Sequence, residues 1–131
     1  MRIHRAHRIT LDPTNVQRTY FAKAAGTARF ANNWALDEWQ KQYQAHLLDK
    51  NQPKPNEAAL RRQLNHIKRE QFPWMLEVTK CAPAKAVQDV GTAFKNFFKG
   101  AGRYPKFKKR GRSKDSFYLN NDQVKIEGKR I

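Results

Sequence analysis

Between Lys99 and Lys114 the chain carries Lys99, Arg103, Lys106, Lys108, Lys109, Arg110, Arg112 and Lys114 without a single acid, punctuated by Gly100, Gly102 and Gly111. Ammonium and guanidinium groups at that density displace counterions from a phosphate backbone, so the run reads as an extended basic arm that holds a polyanion. Tyr104 and Phe107 stand among these cations on either side of Pro105. Rings in such a setting either stack on bases and sugars or anchor the arm to whatever lies behind it, and spacing alone leaves both roles open.

Bond-breaking chemistry finds no support. Two-metal hydrolysis needs carboxylates that converge, whereas Asp12, Asp37, Glu38, Asp49, Glu57, Glu70, Glu77, Asp89, Asp115, Asp122 and Glu127 are scattered through helix and turn contexts. His4, His7, His46 and His66 have no metal-ligand spacing, and Cys81, the only cysteine, cannot make an intramolecular disulfide or a Cys-based zinc site. Gly100-Ala101-Gly102-Arg103 has glycines but lacks the flanking strand and the Lys-Ser/Thr ending of a phosphate loop. The expectation is a binding chain with no catalytic residue, no metal, no cofactor and no small-molecule substrate.

The totals point the same way. Lys plus Arg number 27 against 11 Asp plus Glu, a formal charge of +16 and a pI near 10.4 over 131 residues. Such a surface repels itself without a polyanion, and nucleic acid is the usual one for a basic domain. No helix sets a basic face against a clean apolar one, so a membrane surface is not expected. Met1 to Thr10, interrupted by Arg2, Arg5 and Arg8, lacks the apolar run of a signal peptide, which implies a cytoplasmic location. A hydrophobic share of 39% with 11% aromatic implies a small, aromatic-rich core instead of disorder.

The elements that must position the arm follow from periodicity. Met1, Ile3 and Ile9 alternate with Arg2, His4, Arg8 and Thr10 as in a half-buried strand, with Arg5 and His7 interrupting the pattern, and the strand stops at Leu11-Asp12-Pro13-Thr14. Thr14 and Gln17 form a capping box that starts a helix carrying Val16, Tyr20 and Ala24 up to Gly26. Thr27 then caps a second helix whose stripe of Ala31, Ala35, Trp39, Tyr43 and Leu47, widened by Phe30 and Trp34, is expected in the core. Asp49 to Pro55 reads as a loop, and Asn56 opens a third helix buried through Leu60, Leu64 and Ile67. Phe72-Pro73-Trp74 breaks it. A fourth helix begins between Thr79 and Pro83 and buries Val87, Val90, Phe94, Phe97 and Phe98, with Gly91 weakening it slightly. After the arm, Phe117-Tyr118-Leu119 and Val124-Lys125-Ile126 flank Asn120-Asn121-Asp122 as in a β-hairpin. The fold class implied is α+β, about four helices inserted between an N-terminal strand and a C-terminal hairpin. Residues 1–13 form the strand, 14–100 the helical domain, 101–115 the arm and 116–131 the hairpin. The chain stops with a strand only begun, as a truncated chain would.

Several segments carry a family likeness. Arg8-Ile9-Thr10-Leu11-Asp12-Pro13-Thr14, Gly26-Thr27-Ala28-Arg29-Phe30-Ala31-Asn32-Asn33-Trp34, Phe72-Pro73-Trp74-Met75-Leu76-Glu77-Val78, Ala93-Phe94-Lys95-Asn96-Phe97-Phe98, Tyr104-Pro105-Lys106-Phe107-Lys108 and Ser116-Phe117 resemble, in order and spacing, the start of the TnpB (OrfB) transposon proteins. These are RNA-guided DNA endonucleases related to type V CRISPR effectors. The resemblance implies an N-terminal strand of an incomplete wedge-type β-barrel, an inserted helix-turn-helix-like recognition domain, and a return to the wedge before a RuvC-like nuclease domain that this sequence lacks. It implies guide RNA and target DNA as partners, with the remainder of the nuclease chain. Lys80 and Asn120, with Asn121 beside it, match positions facing the target-flanking motif, where Lys donates to a purine edge and Asn pairs with adenine. Pro83 and Ala84 depart from the longer, polar side chains usual there. Arg29 and Asn33 match as well, either on nucleic acid or fixing the helices through buried hydrogen bonds.

The expected nucleic-acid contacts are therefore Arg29, Asn33, Lys80, Arg103, Tyr104, Lys106, Lys108, Lys109, Arg110, Arg112, Lys114, Asn120 and Asn121. Two rivals remain: a stand-alone helix-turn-helix DNA-binding regulator derived from a transposon protein, and a structural RNA-binding protein that owes its charge to scaffolding.

Overall fold

Thr14 sets the direction of the longest element. Its hydroxyl accepts from the Gln17 backbone N–H at 3.2 Å while Gln17 Oε1 accepts from the Thr14 N–H at 2.9 Å, the reciprocal box the sequence implied. From that cap, α1 runs unbroken over Asn15–Leu48 in a computed structural model that describes residues 3, 5–6, 8–112 and 114–119. Asn56, whose side chain accepts from the Ala59 N–H at 2.8 Å, caps α2, Glu57–Gln71. Phe72 and Pro73 end it and open a short 3-10 turn, Pro73–Glu77. The last helix, α3, spans Cys81–Phe98 with Pro83 in its first turn, where the missing N–H costs nothing.

The break expected at Gly26 is absent. Thr27 is not a cap: it is buried and its hydroxyl donates to the Lys23 carbonyl at 2.8 Å, one turn back in the same helix. A glycine in a helix interior costs about 1 kcal/mol. Here that is outweighed by burial of Ala24, Ala28, Ala31 and Ala35, small side chains that let α3 approach through Ala82, Ala86, Val87 and Val90. Packing, not propensity, joins the two expected helices into one. Leu36, Leu60, Leu64, Met75 and Phe94 complete the core, which α1 shares chiefly with α3 and α2 chiefly with α3 and the 3-10 turn.

The α+β expectation is overturned: every regular element among the described residues is helical, with no strand, sheet or barrel. The N-terminal residues described, Ile3, Arg5, Ala6 and Arg8 to Thr14, form no strand, and Ile3, Ile9 and Leu11 are exposed. Alternation assigns side chains to faces but supplies no partner, and an unpartnered strand leaves its backbone groups unpaired. Phe117, Tyr118 and Leu119 are likewise irregular, and the rest of the expected hairpin, Asn120 to Ile131, lies outside the described residues.

Among the expected core aromatics, Trp39 stacks on Phe94 at 4.9 Å between ring centroids and 7° between planes. Phe98 departs from expectation. At the helix end it is 60% exposed, touching Tyr43, Phe94 and Phe97 on one side only. Val16, on the first turn of α1, is exposed as well.

Gly91 has a positive role. A Cβ there would meet Glu57 Cβ at 2.8 Å and Cγ at 3.2 Å, so its bareness lets the start of α2 close on α3. Glu57 itself lies in the first turn of α2, with Oε2 buried and without a hydrogen-bond partner.

Candidate nucleic-acid interface

At its C-terminus α3 ends in a Schellman turn. Gly100 takes φ +78°, its N–H bonds the Phe97 carbonyl at 3.0 Å, and the Ala101 N–H bonds the Asn96 carbonyl at 2.9 Å. The left-handed step turns the chain back, and the basic segment then travels along α1 in the opposite direction as a strap.

Successive anchors define its course. Tyr104 places its ring edge-on to Phe94 and Phe97, at 5.5 and 5.2 Å, and its hydroxyl accepts from Gln40 Nε2 at 3.1 Å. Next, Asn33 grips the backbone of Lys108 twice: Nδ2 donates to the Lys108 carbonyl at 2.8 Å, and the Lys108 N–H donates to Oδ1 at 2.7 Å. A turn follows from Lys109 to Arg112, closed by a 3.2 Å backbone bond, with Gly111 at φ +79°, the left-handed value a type II turn needs at its third residue. Arg29 then pairs with Asp115 at 2.8 Å, and Phe117 packs against Phe21 and Tyr20. Arg29, Asn33 and Gln40 lie four and seven residues apart, hence on one face of α1.

This arrangement sorts the expected contact residues. Arg103, Lys106, Lys108, Lys109, Arg110, Arg112 and Lys114 are exposed along the strap. Asn33 and Arg29, the latter only 20% exposed at its side chain, face the strap and hold it. Tyr104 anchors with one side of its ring and remains 45% exposed, as does Phe107 at 49%. Lys80 is exposed at the residue before α3, apart from the strap cations in sequence and element. Asn120 and Asn121 lie outside the described residues.

Gln40, Asp115, Phe117 and Lys85 enter the site unannounced by the sequence reading. Asp115 is the acid that ends the cationic run, and Gln40 continues the polar face of Arg29 and Asn33, so both had a signal. Lys85 reaches over the Tyr118 ring at 5.8 Å to its centroid and also pairs with Asp89 at 3.3 Å. Beyond the strap, hydrogen bonding to Asp37 raises the exposed Lys41 ammonium above its ordinary pKa.

Among the described residues no group of His, Cys, Asp or Glu could hold a metal ion, and no helix is long and apolar enough to cross a membrane. What the geometry offers is a fixed row of cations with partly exposed rings between them.

Residues 1–47 match the family model of a helix-turn-helix domain of the OrfB IS605 type. The match supports a DNA-binding segment of transposon origin over that stretch. It takes in the N-terminal residues and nearly all of α1, which here is one continuous helix. No curated protein matches the chain.

Proposed function

We propose that this chain is the nucleic-acid-binding part of a TnpB-like, RNA-guided DNA endonuclease, contacting guide RNA, its heteroduplex with target DNA and the motif flanking the target. The chain performs no chemistry itself. The observation that carries the reading is the acid-free row from Arg103 to Lys114, clamped along α1 by Asn33 and Tyr104. A strap fixed before its ligand arrives loses less conformational freedom on binding than a loose arm. Its cations contact the phosphate backbone, which supplies affinity, while Lys80, Asn120 and Asn121 are assigned to the flanking motif.

Binding of labelled RNA and duplex DNA across a salt series tests the first half. Neutralising about six phosphates gives a logarithmic slope near −5 on duplex DNA, and a salt-insensitive complex refutes the reading. Replacing Lys106, Lys108, Lys109 and Arg110 together by Glu weakens binding to all sequences. In the guide-loaded nuclease, Asn120→Ala changes preference for the flanking motif without changing overall affinity for RNA.

The helix-turn-helix match favours a second reading, a stand-alone DNA-binding regulator. Sequence-selective mobility shifts on duplex DNA without any RNA would establish it over the first.

A further inference from the structure

Beneath the strap, α1 and α3 do not close completely. A cavity of about 200 Å³ remains between them and the returning chain. Its floor is four alanines, Ala25 and Ala28 from α1 with Ala82 and Ala86 from α3, each less than a tenth exposed. Phe117 and Tyr118 line it from the strap. Lys108 and Lys114 line it too, as do Arg29 and Lys85 from the helices. Asp115 and Asp89 also line it, but each is already bound to a cation, Arg29 and Lys85 respectively.

We propose that this cavity receives one unstacked nucleobase from a single strand held on the strap, a reading that rests on the proposed function and names the form of nucleic acid it takes. The alanine methyls and aromatic rings offer an apolar slot for a flat heterocycle. Lys108 and Lys114, at that slot, belong to the same cationic row that holds the backbone on either side of the base. The volume is below the roughly 300–1,000 Å³ of drug-sized pockets, which suits one ring system and not a stacked pair. A base inside a duplex enters only by flipping out, at a cost of unpairing and unstacking that a single strand does not meet. The cavity therefore favours single-stranded over double-stranded ligand, whereas the strap alone does not.

The test uses the whole chain and fluorescence anisotropy, with a labelled strand of roughly 12 nucleotides and the duplex made from it, across a salt series. Ala25→Leu and Ala86→Leu, made separately, fill the slot. Each is expected to weaken single-strand binding roughly tenfold while duplex affinity and both salt slopes stay unchanged. Equal loss on both ligands, or none on either, overturns the proposal. Should a leucine disturb the helices, visible by circular dichroism, the unmutated chain decides: a strand of abasic sugar-phosphates binds roughly tenfold more weakly than one with bases, and equal binding overturns the slot. Salt-dependent binding without this preference sinks the slot alone; absence of salt-dependent binding to either ligand sinks the proposed function with it.

Discussion

Among the described residues two glycines lie within helices, and their replacement by alanine should shift stability in opposite directions. At Gly91 a methyl group would stand 2.8 Å from Glu57 Cβ, an atom fixed to the α2 backbone and unable to swing aside. The helix gains about 1 kcal/mol from exchanging Gly for Ala, but overpacking a close helix contact costs about 1–3 kcal/mol. The net for Gly91→Ala is a loss of about 1 kcal/mol, a fall in Tm of roughly 3–5 °C at this chain length. At Gly26 the nearest atom to an added methyl is Arg29 Nη2 at 3.6 Å, an ordinary contact with the tip of a long side chain, and φ is not positive. Gly26→Ala therefore keeps the helix gain and should raise Tm by a similar amount. Thermal melts followed by helical circular dichroism, repeated as urea titrations, read both signs. A destabilised Gly26→Ala would mean that α1 turns at that residue; a stabilised Gly91→Ala would mean that α2 does not close on α3 at Glu57. Either result refutes the packing derived above.

Other outcomes follow from single contacts. Asn33→Ala removes both bonds to the Lys108 backbone; because the freed groups reach water the stability loss is only about 1 kcal/mol, but amide exchange at Lys108 and tryptic cleavage at Lys108 and Lys109 should accelerate, and unchanged protection would contradict the clamp. Thr14→Ala dissolves the capping box and should cost about 0.5–2 kcal/mol in urea unfolding, with fraying confined to the first turn of α1. Trp39→Ala deletes a half-buried ring stacked on Phe94, and a loss of roughly 2–3 kcal/mol is expected; a neutral effect would place that ring outside the core.

Legibility in the sequence tracked the range of the interaction. The caps at Thr14 and Asn56 and the break at Pro73 were readable because each is decided within a few residues. The continuity of α1 through Gly26 was not, since the alanines that outweigh the glycine do so only against α3. The N-terminal alternation up to Ile9 suggested a strand, but strand formation depends on a partner that alternation does not encode, and the described chain is helical there only from Asn15. Within the candidate interface, the cations were plain from composition. Their supports were not: Gln40 with Tyr104, Asn33 with Lys108 and Arg29 with Asp115 are separated by 64, 75 and 86 residues. For Arg29 and Asn33 the sequence offered contact with nucleic acid or fixing of the helix pair through buried hydrogen bonds; the bonds observed run instead to the arm, at Asp115 and Lys108.

The uninterrupted α1 also works as a measuring stick. At 1.5 Å per residue, the stretch from Tyr20 to Gln40 along which the returning segment is pinned is about 30 Å long. Under the proposed function, a strand whose phosphates advance about 3.4 Å each would span that length with about nine nucleotides. Had the helix broken at Gly26, the spacing of the anchors at Tyr20, Arg29, Asn33 and Gln40 would vary with the angle of the break; one continuous helix sets it.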